Sequence, residues 1–581
     1  VGRLCLHKAA IAPILVAMST GLAEPANDMV NVAAHLPRMA ALQPDTPALI
    51  WRSGRNGAGM ATYANLSFAE LNQLSDRYAH GFESIGIARG MRTILMVRPS
   101  PDFFALTFAL YKIGATPVLI DPGMGKLRMV DCLRAIEAEA FIGIPLAHAM
   151  RVAFRSAFKT VRINVTVGRR LGWGGHTLAS LKNVCSDPYE MTPTRTDEAA
   201  AIIFTTGSTG PPKGVLYEHG MFDAQVRILR DHFKIEPGEI DLPTFPLFAL
   251  FDPALGMTAV IPEMDPTRPA HVDPTKIIEA IHDNNVTHMF GSPALLNRVG
   301  RYGEANNVRL PSLRRVISAG APVPPATMRR YTKMLAPGVQ IFTPYGATEA
   351  LPVASIGSDE VLGETAEESA KGRGTCVGKP VPEATVRVIE ITEEPIAKWD
   401  DSLSLPAGLF GEIVVRGPTV TKLYLTSEAA TRKAKMIDPR DGAVWHRMGD
   451  VGYLDEAGRV WFCGRKAHRV VTTKETLFTI PCEAIFNQHP KVFRTALVGV
   501  GEKEKQTPVL CVELDSEGCD CAGKRNREQI VRELQALGQG HAHTKVITHF
   551  LIHPGFPVDI RHNAKIFREK LAVWAAKNLW R

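Results

Sequence analysis

The stretch TTGSTGPPKGV, Thr205 to Val215, packs the groups that suit phosphate binding into one short segment. Gly207, Gly210 and Gly214 let backbone approach a ligand closely. Thr205, Thr206, Ser208 and Thr209 bring hydroxyl donors, and Lys213 a positive charge. Such a loop suits a polyphosphate. It is not the usual P-loop, in which Gly-Lys-Ser/Thr runs into a helix: Lys213 is followed by Gly214, and Pro211-Pro212 block a helix there. That ending weakens kinase and GTPase readings.

Other reactive side chains are less organised. The nine cysteines, at 5, 132, 185, 376, 463, 482, 511, 519 and 521, are odd in number and form no CxxC pair. They predict a reduced protein without a zinc site, and Cys519 and Cys521, in SEGCDCAGK, read as part of a surface loop. The chain's 67 basic and 59 acidic residues, net +8, are spread along its length without a basic tail. This implies mild attraction for anionic substrates rather than nucleic-acid binding. Arg3 and Lys8 precede an apolar run from Ala9 to Met18 that superficially matches a secretory signal, but the run is short and Pro13 interrupts it. No stretch approaches the ~20 apolar residues of a membrane-spanning helix. The expected localisation is cytoplasmic.

The elements that must position the loop follow from periodicity. At 581 residues, 45% hydrophobic and 22% charged, the chain is globular and too long for one core. Apolar runs such as TILMV, TPVLID, AAIIF, HMFGS and RRVISAG alternate with helix-like segments such as FAELNQLSDRYAHGFESIG. They predict doubly wound α/β layers around a largely parallel sheet, with ligand loops at the carboxyl ends of strands. From about 376 the texture becomes period two, GKPVPEATVRVIE and FGEIVVRGPTV, which predicts a small antiparallel or barrel-like β region. After VWFCGRKAHR a fresh start follows. The predicted division is a large domain over 1–465 and a small, mobile α+β domain over 466–581.

The phosphate loop resembles that of the adenylate-forming superfamily, which includes acyl-CoA synthetases, peptide-synthetase adenylation domains and luciferases. Four further segments match in family order: ISAGAPVP (Ile317 to Pro324), TPYGATEA (343–350), WHRMGDVGYLDEAGRVWFCGRK (445–466) and HNAKIFREKL (562–571). The resemblance implies ATP as substrate and Mg²⁺ as cofactor. Thr205 to Gly210 and Lys213 would hold phosphates, while Gly320, Ala321 and Pro322 with Tyr345 and Gly346 would enclose adenine. Thr348 would donate to the α-phosphate and Glu349 would hold Mg²⁺ against the leaving pyrophosphate. Asp450 would accept from the ribose hydroxyls with Arg465 beside it, and Lys565 would neutralise charge as a carboxylate attacks the α-phosphorus.

Three departures bear on the second half-reaction. Where acyl-CoA synthetases usually carry a diglycine beside the pantetheine tunnel, VVTTKETLF has Thr473 and Lys474. Where many members have a gating histidine, PTFPLFALFD has Pro246 and no histidine, and the hinge position carries Ala467. Together these argue against coenzyme A as acceptor. FPLFALFDPALG, with DIRHNAK around the lysine, resembles the olefin β-lactone synthetases, a branch of the superfamily in bacterial long-chain olefin synthesis. That resemblance implies a 2-alkyl-3-hydroxy fatty acid whose own hydroxyl closes a lactone. It also implies work beside a condensing enzyme, a reductase and a β-lactone decarboxylase. The alternatives are a long-chain fatty-acyl-CoA ligase, a fatty-acyl-AMP ligase, or a nucleotide-binding scaffold without catalysis. No general base is singled out: His468 and His562 lie near matched motifs, and each reads as an ordinary surface histidine. LFALF (247–251) reads as core rather than an acyl tunnel.

Overall fold

The structure is a computed structural model that describes residues 29–205, 213–515, 524–558 and 566–579. Parallel strands need long crossovers, and the helix-like segments between the apolar runs supply them. Two sheets of this kind form. In the seven-stranded sheet, Ile163–Thr166, Ala140–Gly143, Arg92–Met96, Thr116–Leu119 and Ala199–Thr205 run parallel in that spatial order. At its edge, Ala199–Thr205 pairs antiparallel with Lys213–Glu218, Thr205 opposite Lys213. The phosphate-loop sequence is therefore the connection of a hairpin, entered from the carboxyl end of a buried parallel strand.

The nine-stranded sheet has a parallel centre of Thr258–Ile261, Ile240–Pro243, His288–Phe290, Arg315–Ile317 and Gln340–Ala347. An antiparallel hairpin, Gln340–Ala347 with Ala350–Gly357, extends one side. One hydrophobic core joins the two sheets through two helices between them, Phe68–Ser84 and Pro101–Lys112. The first starts in a capping box: Ser67 Oγ accepts from the Glu70 N–H and the Glu70 carboxylate accepts from the Ser67 N–H. The second is buried from Phe103 through Lys112, as a helix sandwiched between layers must be. The Lys112 ammonium meets Asp76 of the first at 2.5 Å. Removing either partner strands a buried charge, which costs about 3 to 5 kcal/mol.

The period-two segments form a six-stranded antiparallel sheet that runs from Thr375–Cys376 through Val460–Arg465, Val444–Leu454 and Gly411–Arg416 to Thr385–Ile389, with Lys435–Ile437 beside Val444–Leu454. Among the described strands it is an open sheet with two edges, not a closed barrel. Beyond Lys466 a three-stranded sheet of Val492–Val500, Thr507–Leu514 and His549–Ile552 carries apolar side chains on both faces. Leu497, Leu510 and Val512 pack toward the helices Thr479–Phe486 and Lys524–Gln539, while Ala496, Val498 and Val509 pack toward Arg568–Asn578. Among the described residues no helix is long and apolar enough to cross a membrane.

His219, first residue of the helix His219–Phe233, shows how burial sets a charge state. Its Nδ1 accepts from the Val32 N–H at 3.2 Å, which places the proton on Nε2, and that atom has no partner among the described residues. Burial pulls its pKa down to about 4. Above pH ~6.5 folded and unfolded chains both carry neutral imidazole; between ~6.5 and about 4 only the unfolded chain binds the proton, so acid favours unfolding. Stability is expected to fall by up to about 3 kcal/mol across that window through this group. Urea unfolding at stepped pH checks it: His219→Asn is expected to flatten the acid slope, and an unchanged slope would remove His219 as its source.

Candidate active site

The hairpin of the nine-stranded sheet carries the central motif. Ala347 pairs with Ala350, so Thr348 and Glu349 are the two residues of its turn, at the carboxyl end of a parallel strand. The turn is tight: a Cβ on Gly346 would lie 2.7 Å from the Ala350 carbonyl oxygen. Its tip is held by hydrogen bonds from distant segments. The Tyr217 hydroxyl donates to the Thr348 carbonyl, and the Thr421 N–H and hydroxyl both donate to the Glu349 carbonyl, at 2.9 and 3.1 Å. The Tyr424 hydroxyl donates to Glu349 Oε1 at 2.7 Å. Burial, reinforced by the Glu349 charge, pushes both tyrosine pKa values up, so both phenols remain donors.

Tyr424 also connects this tip to the phosphate-loop hairpin. The Leu425 N–H donates to the Gly214 carbonyl, the Gly214 N–H donates to Thr426 Oγ1, and Lys213 Nζ lies 4.7 Å from the centre of the Tyr424 ring. Lys435 lies on the same ring at 5.9 Å. Burial lowers the Lys435 pKa to about 7 against the opposing pull of Glu349. His446, paired with Lys435 across two strands, is held neutral by burial first and then by the nearby charges of Lys435, Lys213 and Arg465.

The second half of the site is the pair Asp450 and Arg465, opposite each other on adjacent strands. Arg465 Nη1 is 2.9 Å from Asp450 Oδ1, and the Tyr345 hydroxyl donates to Asp450 Oδ2 at 2.6 Å. Asp450 is 3% exposed. Burial raises its pKa, while Arg465 and Tyr345 pull the other way. Oδ1 has no aligned hydrogen-bond donor despite the nearby guanidinium, which leaves an acceptor for a hydroxyl. Gly320, Ala321 and Pro322 follow Arg315–Ile317, the strand next to Gln340–Ala347, so they emerge beside the strand that carries Tyr345. Gly320 adopts φ 95°, a left-handed conformation that favours glycine.

The structure thus brings Lys213, Tyr345, Gly346, Thr348, Glu349, Asp450 and Arg465 to one face, with Gly320 to Pro322 on the neighbouring ledge. Thr206, Gly207, Ser208, Thr209, Gly210, His562 and Lys565 lie outside the described residues, and Thr205 is described only through its backbone. Tyr217, Thr421, Tyr424 and Lys435 are additions. Each falls outside the matched motifs, so no local signal marks them, whereas His446 lies within WHRMGD.

His468 corrects the surface reading. Its side chain is 10% exposed, its Nε2 is 3.2 Å from Glu569, and burial with the neighbouring Arg568 lowers its pKa to about 4. Thr473 and Lys474 occupy the exposed tip of a small hairpin, Val470–Val471 with Thr476–Leu477, turned by backbone donation from Lys474 and Glu475 to Thr472 Oγ1. Phe245, Phe248 and Phe251 are partly buried against the core that contains Phe290, in line with the core reading of that segment.

Magnesium usually binds through one or two carboxylates together with substrate phosphates. A single carboxylate, Glu349, oriented by the Tyr424 hydroxyl, fits that pattern. Among the described residues no three His, Cys, Asp or Glu side chains cluster for a metal.

Residues 36–425 match the AMP-binding enzyme family. An olefin beta-lactone synthetase of Xanthomonas campestris pv. campestris is 50% identical over 94% of this chain and 98% of its own length. One from Stenotrophomonas maltophilia is 49% identical over 95% of this chain and 99% of its own length. Among solved structures, an amide bond synthetase from Marinactinospora thermotolerans superimposes with TM-score 0.75 at 21% identity, over 94% of this chain and 99% of that one, a likeness of fold. With a family pattern over residues 36–425 and a relative 50% identical across nearly the whole chain, this protein belongs to the AMP-binding enzymes.

Proposed function

We propose that the chain is an ATP-dependent, AMP-forming β-lactone synthetase acting on a long-chain 2-alkyl-3-hydroxy fatty acid. A carboxylate oxygen attacks the α-phosphorus of ATP, the bond to the β-phosphate breaks, and pyrophosphate leaves an acyl-AMP. The 3-hydroxyl oxygen then attacks the acyl carbon and loses its proton, the bond to AMP breaks, and a four-membered lactone forms. The tethered hydroxyl supplies a high effective concentration without a second substrate. The mixed anhydride supplies the free energy that ring strain opposes.

The observation that carries this reading is the convergence of Lys213, Glu349, Tyr345 and Asp450 on one face, linked through Tyr424 and Arg465. In this reading Tyr345 and Gly346 with Gly320, Ala321 and Pro322 enclose adenine, and Asp450 with Arg465 holds the ribose. Thr205 to Gly210 and Lys213 hold the phosphates and Thr348 donates to the α-phosphate. Bound to Glu349, Mg²⁺ would supply charge neutralisation at the pyrophosphate. Residues 466–581 form the lid that carries Lys565 over the large domain, 1–465. The choice of acceptor rests on likeness to the two olefin beta-lactone synthetases, together with Thr473, Lys474 and the absence of histidine from 243–252. A condensing enzyme and a reductase would supply the substrate and a decarboxylase would consume the lactone.

Incubation with ATP, Mg²⁺ and a 2-alkyl-3-hydroxy fatty acid, with and without coenzyme A, tests the reading. The expected products are lactone, AMP and pyrophosphate at a rate indifferent to the thiol. A strict thiol requirement would replace it with an acyl-CoA ligase.

A further inference from the structure

Lys435 stands outside every sequence motif and is only 6% exposed. It begins the short strand Lys435–Ile437, opposite His446. Its Nζ donates to Thr421 Oγ1 at 3.2 Å, and the Thr421 hydroxyl donates to the Glu349 carbonyl at 3.1 Å. The same ammonium lies 5.9 Å from the centre of the Tyr424 ring, which Lys213 faces at 4.7 Å and whose hydroxyl grips Glu349.

Among the described residues neither Lys435 nor Lys213 has an ion-pair partner, and Arg465 already matches Asp450. Among the described residues the carboxylate that acts on Lys435 is Glu349, which the Tyr424 hydroxyl holds from the ring that both lysines face. With a single hydroxyl partner the buried Lys435 holds its proton less readily, because its charge has left water without an equivalent return. A polyanion against Tyr424 would repay that cost. The position agrees: Tyr424 to Thr426 are bonded to the hairpin of the phosphate-loop sequence.

We propose that Lys435 is a second ammonium of the polyphosphate site, binding with Lys213 the β- and γ-phosphates of ATP and the departing pyrophosphate. This rests on the nucleotide reading of the site. AMP lacks both groups and makes no use of Lys435. A lysine that merely supports Thr421 and the hairpin tip would serve ATP and AMP alike, and this difference is what the experiment reads.

The full-length chain and its Lys435→Met, Lys435→Gln and Lys435→Arg variants are titrated by calorimetry with ATP, pyrophosphate and AMP, each with Mg²⁺. Loss of the ammonium in Lys435→Met or Lys435→Gln is expected to weaken ATP and pyrophosphate about 10- to 100-fold. AMP is expected to change less than about threefold, and Lys435→Arg to recover part of the loss because it keeps the charge. Using two neutral variants guards against one failing to fold. Equal weakening of ATP and AMP, or unchanged ATP affinity, would overturn the role of Lys435 while leaving the nucleotide site intact. A wild-type chain that bound neither nucleotide would overturn the site reading itself, and this inference with it.

Discussion

Lys565→Ala is expected to slow acyl-adenylate formation about 10²- to 10³-fold while changing ATP affinity less than about threefold. Adenylation brings a carboxylate onto a phosphate that already carries negative charge, so an ammonium aimed at the forming bond matters most in the transition state. In the proposed reading the nucleotide keeps other holds in the ground state, Lys213 beside Tyr424 and the Asp450–Arg465 pair. Removing a group that acts only in the transition state lowers the rate with little effect on binding. Lys565→Arg is expected to fall between, because a planar guanidinium does not reproduce a compact ammonium. Stopped-flow pyrophosphate release beside calorimetric ATP binding separates the two quantities. A wild-type release rate in the alanine variant would end the assignment made from HNAKIFREKL.

Glu349→Gln is expected to lower the adenylation rate about 10²-fold and to raise the Mg²⁺ concentration for half-maximal rate at least about 10-fold. The substitution keeps side-chain length and a carbonyl oxygen that accepts from the Tyr424 hydroxyl. The backbone bonds from Tyr217 and Thr421 to the hairpin tip do not involve the carboxylate. The turn should therefore persist with its charge removed. Hard divalent cations prefer charged oxygen, so Mg²⁺ affinity for the enzyme–ATP complex carries the loss. Mg²⁺ titration of pyrophosphate release, with free ATP corrected for complexation, reads both effects. An unchanged Mg²⁺ requirement would move the metal elsewhere.

The placement of several candidate residues at strand ends and turns was legible because it is set locally. Thr348 and Glu349 are adjacent, Gly346 permits the turn before them, and Asp450 and Arg465 flank one β-hairpin. Each lies inside a short run that resembles a motif of the adenylate-forming superfamily, and the resemblance is what implies its role. The parallel layers were legible for a similar reason: a strand buried on both faces reads as an apolar run and its crossover as a helix period. The open six-stranded sheet was less so, because alternation says which face is buried but not whether the ends of the sheet meet.

His468 illustrates the limit more sharply. Among charged neighbours it reads as a surface residue, yet packing near Arg568 and Glu569 leaves its side chain largely covered and lowers its pKa. Burial of a polar side chain depends on what lies across from it, about which its own segment is silent.

By itself the sequence determined the reactive groups, their order along the chain and the strand ends that carry them. Only the tertiary structure decided that Lys213, Glu349 and Lys435 meet at Tyr424 and that Tyr345 closes on Asp450. The physical reason is that periods of 2 and 3.6 residues specify which side of an element is apolar. Contacts between residues 213, 349, 424 and 435 arise instead from packing among separate elements, where each buried charge or hydroxyl must find its partner across the fold.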